Sequence, residues 1–324
     1  MRKAARQDVE TACAAGDCPQ AITVLEGALA LQPHDFRLPY RLGLCYSGSC
    51  RSHAWVHPGM AVSYLRQAGQ LVGPSCPEYR AGVLDLLADT LCRNRNHPAP
   101  AALREAIDFR REAAGIYQSL GRADDWARTQ FNLGNSCCDL SELTGEDHWQ
   151  EAVSHYRESL RVRTPEKDPE RYAAVLENLG SACRRLAGGL EEHVRESIRC
   201  YLRALKLCAA DSRSGKRAAL QNNLGNAFLS LPGADPHTQI RNARRALLHF
   251  DRALHDQLSD RSSRAYGITQ YNRAQAYFRL AQIPPADPET AIACLREAMT
   301  AFQACGEENY THLVQAQLER VCRQ

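Results

Sequence analysis

Asn-Leu-Gly occurs three times, at 132–134, 178–180 and 223–225, and this spaced echo limits the fold more than any other feature of the chain. Taking the Leu of each, or its equivalent, gives Leu42, Leu87, Leu133, Leu179, Leu224 and Arg273, separated by steps of 45, 46, 46, 45 and 49 residues. The next position is always tiny: Gly43, Ala88, Gly134, Gly180, Gly225 and Ala274. Three residues further on stand Tyr46, Leu91, Cys137, Cys183, Phe228 and Tyr277. Spacing of three and four places these residues on one face of a helix. A fixed period of this length is the signature of a repeat architecture and not of a single nucleotide-binding loop.

Each unit carries a second helical stripe. Small residues at Ala61, Ala106, Ala152, Ser197, Ala246 and Ala291 are followed four residues later by Leu65, Arg110, Tyr156, Tyr201, Phe250 and Leu295. Three further on come Ala68, Ala113, Ser159, Ala204, Ala253 and Ala298. Tiny residues on both stripes let two helices approach closely. Arg110 departs from the pattern; either Phe109 takes its packing role or the register shifts there by one. Breakers such as "LTGED" at 143–147, "LPGADP" at 231–236 and "IPPADP" at 283–288 separate the two helices of a unit. The predicted hairpins run over 5–34, 36–73, 78–121, 123–163, 169–210, 215–258 and 262–305. One hairpin cannot bury its apolar face alone, so neighbours must stack into a solenoid. The stretch 308–324 reads as a capping helix with Leu313, Leu318 and Val321 turned inward.

A chain of 324 residues suits two ordinary domains or one array, and the reading is one array over 1–324: three divergent repeats in 1–121, four long repeats in 122–306, and the cap in 307–324. A hydrophobic content of 44% with 24% charged residues fits a folded, soluble chain, and a formal net charge of +3 gives no reason to expect a nucleic-acid partner. Asp8 and Glu10 fall where a leader's apolar segment would lie, and no run approaches a membrane span, so no membrane is expected and the expected compartment is the cytoplasm. In a long chain without an export signal the 14 cysteines are expected to be reduced, many of them as small core residues.

The pattern resembles the tetratricopeptide repeat. "RLGLCY" at 41–46 matches its first helix, and Ala21, Leu25, Ala28 and Pro33 match its second. Val9 departs from it. The longer form, over about 120–305, is similar to bacterial repeats found beside caspase-like CHAT protease domains; nothing here resembles the protease itself. The resemblance implies an all-α, right-handed superhelical solenoid of about seven antiparallel helix pairs plus a C-terminal capping helix, acting as a non-catalytic scaffold or adaptor for a protein or peptide. A regulatory subunit of a separately encoded enzyme, such as a CHAT-type protease, is the alternative. No cofactor is implied.

Each first helix carries a row of amides: Asn132, Asn178, Asn223 and Asn272 one residue before the Leu position, and Asn135, Ser181, Asn226 and Gln275 two after it. An amide both donates and accepts. In peptide-binding members of the family, Asn at such first-helix positions holds the ligand backbone along the concave face, which the resemblance implies for Asn132, Asn135, Asn223 and Asn226. The same amides have a second use open to them, bonding across adjacent hairpins to fix repeat register. Arg93, Arg185 and Arg279 near first-helix ends are candidates to clamp an acidic peptide or terminal carboxylate, or else surface residues paired with neighbours.

Two thiols and two imidazoles, Cys45, Cys50, His53 and His57, have the chemistry for a zinc ion, but their spacing is not that of a standard finger. An incidental loop explains them more simply. No nucleophile elbow, phosphate loop or His-Glu-x-x-His occurs, and His148, His155 and His193 share no face evident from sequence. Catalysis is not expected.

Overall fold

The computed structural model describes residues 18–48, 56–93, 99–186, 190–208, 214–281 and 288–322. Fourteen α-helices and no strand are found among them. They are α1 (Cys18–Leu31), α2 (Arg37–Tyr46), α3 (Pro58–Leu71), α4 (Pro77–Cys92), α5 (Pro100–Ser119), α6 (Ala123–Thr144) and α7 (Trp149–Val162). Then follow α8 (Pro169–Leu186), α9 (Glu191–Leu207), α10 (Ser214–Ser230), α11 (Pro236–Asp256), α12 (Arg264–Ala281), α13 (Glu289–Ala304) and α14 (Glu308–Cys322). The helices fall into two compact units, Met1–Val162 and Arg163–Gln324, divided between hairpins and not within one. In each unit helices pack as successive pairs: α2 with α3, α4 with α5 and α6 with α7 in the first; α8 with α9, α10 with α11 and α12 with α13 in the second. The first helix of the hairpin expected at 5–34 lies outside the described residues.

Helix boundaries follow from the breakers. Proline occupies the first turn of α3, α4, α5 and α11, where its missing N–H costs nothing. Asp235 caps α11 by accepting from the Thr238 backbone N–H at 2.9 Å. Gly145 closes α6 at φ 74°, a left-handed conformation open to glycine without steric cost. The extra length of the later repeats lies in the helices: α6 has 22 residues and α11 has 21, with only short connections beside them.

The two stripes meet as the period requires. Within four hairpins the tiny first-helix residue faces the large second-helix one: Gly43 with Leu65, Gly134 with Tyr156, Gly180 with Tyr201 and Gly225 with Phe250. A Cβ at Gly134 would stand 2.5 Å from Tyr156 Cε1, and one at Gly180 2.8 Å from Tyr201 Cε1, so only hydrogen fits. Leu65, Tyr156, Tyr201 and Phe250 are fully buried. In the last hairpin the glycine–ring pair moves two turns along, to Gly267 beneath Phe302, while Ala274 and Leu295 hold the central position.

The cap corrects one detail. Leu313 is 48% exposed, whereas Val314 is fully buried and Leu318 packs beside it. Tyr310, Val314 and Leu318 recur every four residues and share a face; Leu313 and Leu318, five apart, do not. Tyr310 stacks on Phe302, ring centroids 4.9 Å apart.

Ten cysteines, from Cys45 to Cys305, are free thiols, and Cys45, Cys137, Cys183, Cys200 and Cys294 among them are buried in the repeat core. No described helix is long and apolar enough to cross a membrane.

Candidate functional site

The first helices carry the candidate residues, and the repeat geometry sets what each side chain can reach. The residue after the tiny position lies beside the tip of the large second-helix side chain. Tyr156 Oη donates to Asn135 Oδ1 at 2.8 Å, and Ser181 Oγ meets Tyr201 Oη at 2.9 Å. In the next hairpin the ring is Phe250, which has no hydroxyl, and Asn226 has no side-chain hydrogen bond among the described residues. Gln275 turns instead to Gln317 of the cap, 3.0 Å away.

This relationship also explains Arg110. It is buried at 4% exposure, in register, with no shift by one. The residue after Ala88 is Asp89, whose Oδ1 accepts from Arg110 Nη2 at 2.5 Å. Arg110 Nη1 also donates to Ser136 Oγ of the next hairpin and to Cys92 Sγ at 3.3 Å. A charged pair thus occupies the place where one hairpin puts a hydroxyl and an amide and another puts two hydroxyls. Phe109 packs in the neighbouring cluster around Ala113 and Tyr117.

Two of the amides before the Leu position, Asn223 and Asn272, bond backward along the array. Asn223 Nδ2 donates to Glu177 Oε1 of the preceding hairpin at 3.4 Å, and Asn272 Nδ2 to Asn222 Oδ1 at 3.0 Å. Both acceptors lie three residues before the tiny position of the earlier hairpin. The corresponding residue before Ala88 is Asp85, and Thr129 Oγ1 donates to its Oδ2 at 3.0 Å, with Arg128 Nη2 3.1 Å away. Asn132, beside this pair in sequence, is half-buried and makes no side-chain hydrogen bond among the described residues. Asn178 is half-buried and engaged by a neighbour. Burial is the main cause holding the Asp85 carboxyl up at about 6, against the pull of Arg128.

A further set of side chains ties the two helices of one hairpin together. Gln130 Oε1 lies 2.6 Å from His155 Nδ1, and Gln221 Oε1 lies 2.7 Å from His249 Nδ1. Gln270 Nε2 donates to Glu297 Oε2 at 2.5 Å. Burial pushes His249 down to about 4 and His155 below its usual value, so both rings are neutral at pH 7.

Of the three arginines, Arg279 donates to the Leu229 carbonyl of the preceding hairpin at 2.5 Å, Arg185 is exposed and engaged, and Arg93 stands exposed at the end of α4. Arg279 therefore serves the joint between hairpins. Within the second unit α10 touches both α8 and α12, so Asn178, Asn223, Asn226 and Asn272 sit on adjoining first helices. Asn132, Asn135 and Arg93 belong to the other unit.

Cys50 and His53 lie outside the described residues. Cys45 is buried in the hairpin core, and His57 stands before α3 with its ring edge-on to Tyr46, centroids 6.2 Å apart. A cluster not foreseen from sequence is Cys137, Glu151 and His155, each with one donor atom within 4.8 Å of the others. A metal there would need a thiolate and an available carboxylate. Burial pushes the Cys137 thiol up, and Arg111 already holds Glu151. The cluster packs the α6–α7 hairpin. Its only sequence signal is Glu and His four apart on one helix, too common to single out.

No protein-family model matches the chain, and no curated protein does. Solved structures do. The C-terminal part of a TPR repeat-containing protein from Cytophaga hutchinsonii superposes with a TM-score of 0.58 at 11% identity, over 91% of this chain and 97% of that one. BtubC from P. vanneervenii gives 0.53 at 19% identity, over 77% and 89% of the two chains. Cut9, in the APC/C hetero-tetramer Cut9–Hcn1, gives 0.53 at 14% identity, over 96% of this chain and 47% of that one. These likenesses establish the fold: the chain is built of tetratricopeptide-type helical hairpins.

Proposed function

We propose that the chain is a non-catalytic scaffold that holds a protein partner on its first helices. The repeat fold supports protein binding in general. Among the structural neighbours, Cut9 is found in a complex with another protein, Hcn1. The observation that carries the assignment is the division among the amides. Asn135, Asn223 and Asn272 are spent on internal bonds, whereas Asn132 and Asn226 are half-buried with none among the described residues. A half-buried amide without a protein partner can still bond to water, and it is available to a peptide backbone that replaces that water. In this reading Asn132 and Asn226 bind, while Asn223, Asn272 and Arg279 join the hairpin that presents Asn226 to its neighbours.

The test is site-specific photocrosslinking in the native host, with benzoylphenylalanine in place of Asn132 or Asn226. A discrete crosslinked protein at either position, not captured by probes elsewhere on the chain, is the expected result. No crosslink at either position, with crosslinks obtained from probes elsewhere on the chain, overturns the assignment.

A further inference from the structure

Helix α11 presents one exposed face on which His237, Arg241, Arg244, Leu248, Arg252 and His255 recur at spacings of three and four. Arg245 flanks the stripe, its guanidinium 5.8 Å from the Phe228 ring centroid. Acidic residues are few here and already occupied. Asp256 binds Arg217 at 2.5 Å, and Asp251 binds Arg273 at 2.9 Å. Arg241, Arg244, Arg245 and Arg252 are left with no carboxylate opposite them among the described residues.

The same face is hollowed. A cleft of about 620 Å³ opens between the end of α9 and the second half of α11, over a floor that includes Arg217 and Gln221 of α10. A shallower depression of about 370 Å³ runs along the first half of α11 past Ile240. Leu248 lines both and is 50% exposed; Leu205 faces it across the cleft. From Arg241 to Arg252 the stripe spans roughly 17 Å of helix at 1.5 Å per residue. An exposed leucine set in a cleft and bracketed by unpaired guanidiniums matches a ligand with the reverse arrangement, a large apolar side chain between carboxylates.

We propose that the α11 face is a second docking surface, taking an acidic segment of a partner protein that seats one large apolar residue against Leu248 and Leu205. The proposal rests on the reading of the chain as a protein-binding scaffold. It places this contact on α11, the second helix of its hairpin, whereas Asn226 lies on the first helix, α10. Guanidinium groups select carboxylates in two-pronged fashion, and the leucine pair favours a peptide over a nucleic acid, whose backbone offers nothing apolar to bury.

The full chain is titrated with a fluorescein-labelled peptide carrying a central Leu-Phe pair between two runs of four Glu, followed by fluorescence anisotropy. A twin with Gln for Glu and a single-stranded 12-nucleotide RNA are the comparisons. The expected result is saturable binding of the acidic peptide, weakened at least tenfold by Leu248→Asp, by the triple change Arg241→Gln, Arg244→Gln and Arg252→Gln, or by Gln for Glu, and unaffected by Asn226→Ala. Binding that falls as salt rises from 50 to 300 mM gives the same answer on the unaltered chain. Absence of saturable binding, binding indifferent to the α11 changes, or tighter binding of the RNA overturns the proposal. A partner crosslinked at Asn132 or Asn226 with no peptide on α11 leaves the first-helix assignment standing and ends this one. Peptide on α11 with no first-helix crosslink does the opposite.

Discussion

The ring of Tyr156 lies where a side chain at Gly134 would have to be, with Cε1 2.5 Å from the position of a Cβ. The glycine is the space the tyrosine fills, and the two are one packing unit. Gly134→Ala is expected to destabilise the chain by about 1–3 kcal/mol through overpacking, read as a lowered thermal midpoint. Gly115, exposed near the C-terminal end of α5, has nothing within 4 Å of its would-be Cβ. Gly115→Ala should therefore stabilise by about 0.5–1 kcal/mol, from helix propensity alone. Similar effects at the two sites would dissolve the pairing.

Arg110 and Asp89 should behave as a unit. Arg110→Ala leaves Asp89 without its partner and takes one donor from Ser136, and is expected to cost about 2–3 kcal/mol, because Asp89 is one-third exposed and water can take up part of its charge. The triple change Ala88→Gly, Asp89→Asn and Arg110→Tyr installs the arrangement of Gly134, Asn135 and Tyr156, and should recover most of that loss. Chemical denaturation of the two variants decides it: a triple variant no more stable than Arg110→Ala shows that the position is not equivalent between hairpins.

Asp85 makes stability depend on pH. Its folded carboxyl, held up at about 6 mainly by burial, titrates above the unfolded value of 3.8. Its contribution is therefore fully present below about pH 4 and lost as pH rises through 6, on the order of 3 kcal/mol in all. His249, pushed down to about 4, has the opposite sign: it removes stability as pH falls from 6.5 towards 4. The two oppose each other in the wild type, so the difference from Asp85→Asn is the measurement. That variant should gain on the wild type between pH 5 and pH 7, and a difference that does not change with pH would refute the assignment.

Asn272 and Asn226 should separate folding from binding. Asn272→Ala removes the bond to Asn222 across the hairpin joint and is expected to cost about 1 kcal/mol. Asn226→Ala removes no side-chain bond among the described residues and should leave the midpoint within a degree or so of wild type while weakening the crosslinked partner's capture. A marked fall in stability from Asn226→Ala would assign it to register instead.

The hairpins were legible because their signal is local in kind: a tiny residue, then a large one about 22 positions on, at Gly134 and Tyr156 or Gly180 and Tyr201. Arg110 was opaque from sequence because its justification, Asp89, matters only once the tip of a second-helix side chain is known to reach the residue after the tiny one. In the last hairpin the aligned Ala274 and Leu295 do hold the central position, but the close glycine–ring contact, Gly267 with Phe302, lies two turns away where the period gives no sign of it. Leu313 was placed inward on hydrophobicity, although helical spacing favours Val314. The destinations of Asn223 and Asn272 were hidden for a different reason. Their partners lie 46 and 50 residues away, and sequence does not show which of several neighbouring polar groups a side chain meets. The α11 face is not legible in sequence, because exposed arginines are ordinary unless the carboxylates beside them, here Asp251 and Asp256, are bound elsewhere.

Tyr156 with Asn135, Tyr201 with Ser181, and Arg110 with Asp89 each close within a single hairpin. A hairpin duplicated or excised whole carries both halves of its own fitting. The large side chain and its polar mate can then drift together, from hydroxyl and amide to guanidinium and carboxylate, with Arg110 alone of the three also reaching a side chain of the next hairpin, Ser136. A crossover falling between the two helices would instead put one lineage's ring against another's carboxylate. Length variation in chains of this design is therefore expected in steps of a full hairpin, with the break points in the connections between hairpins.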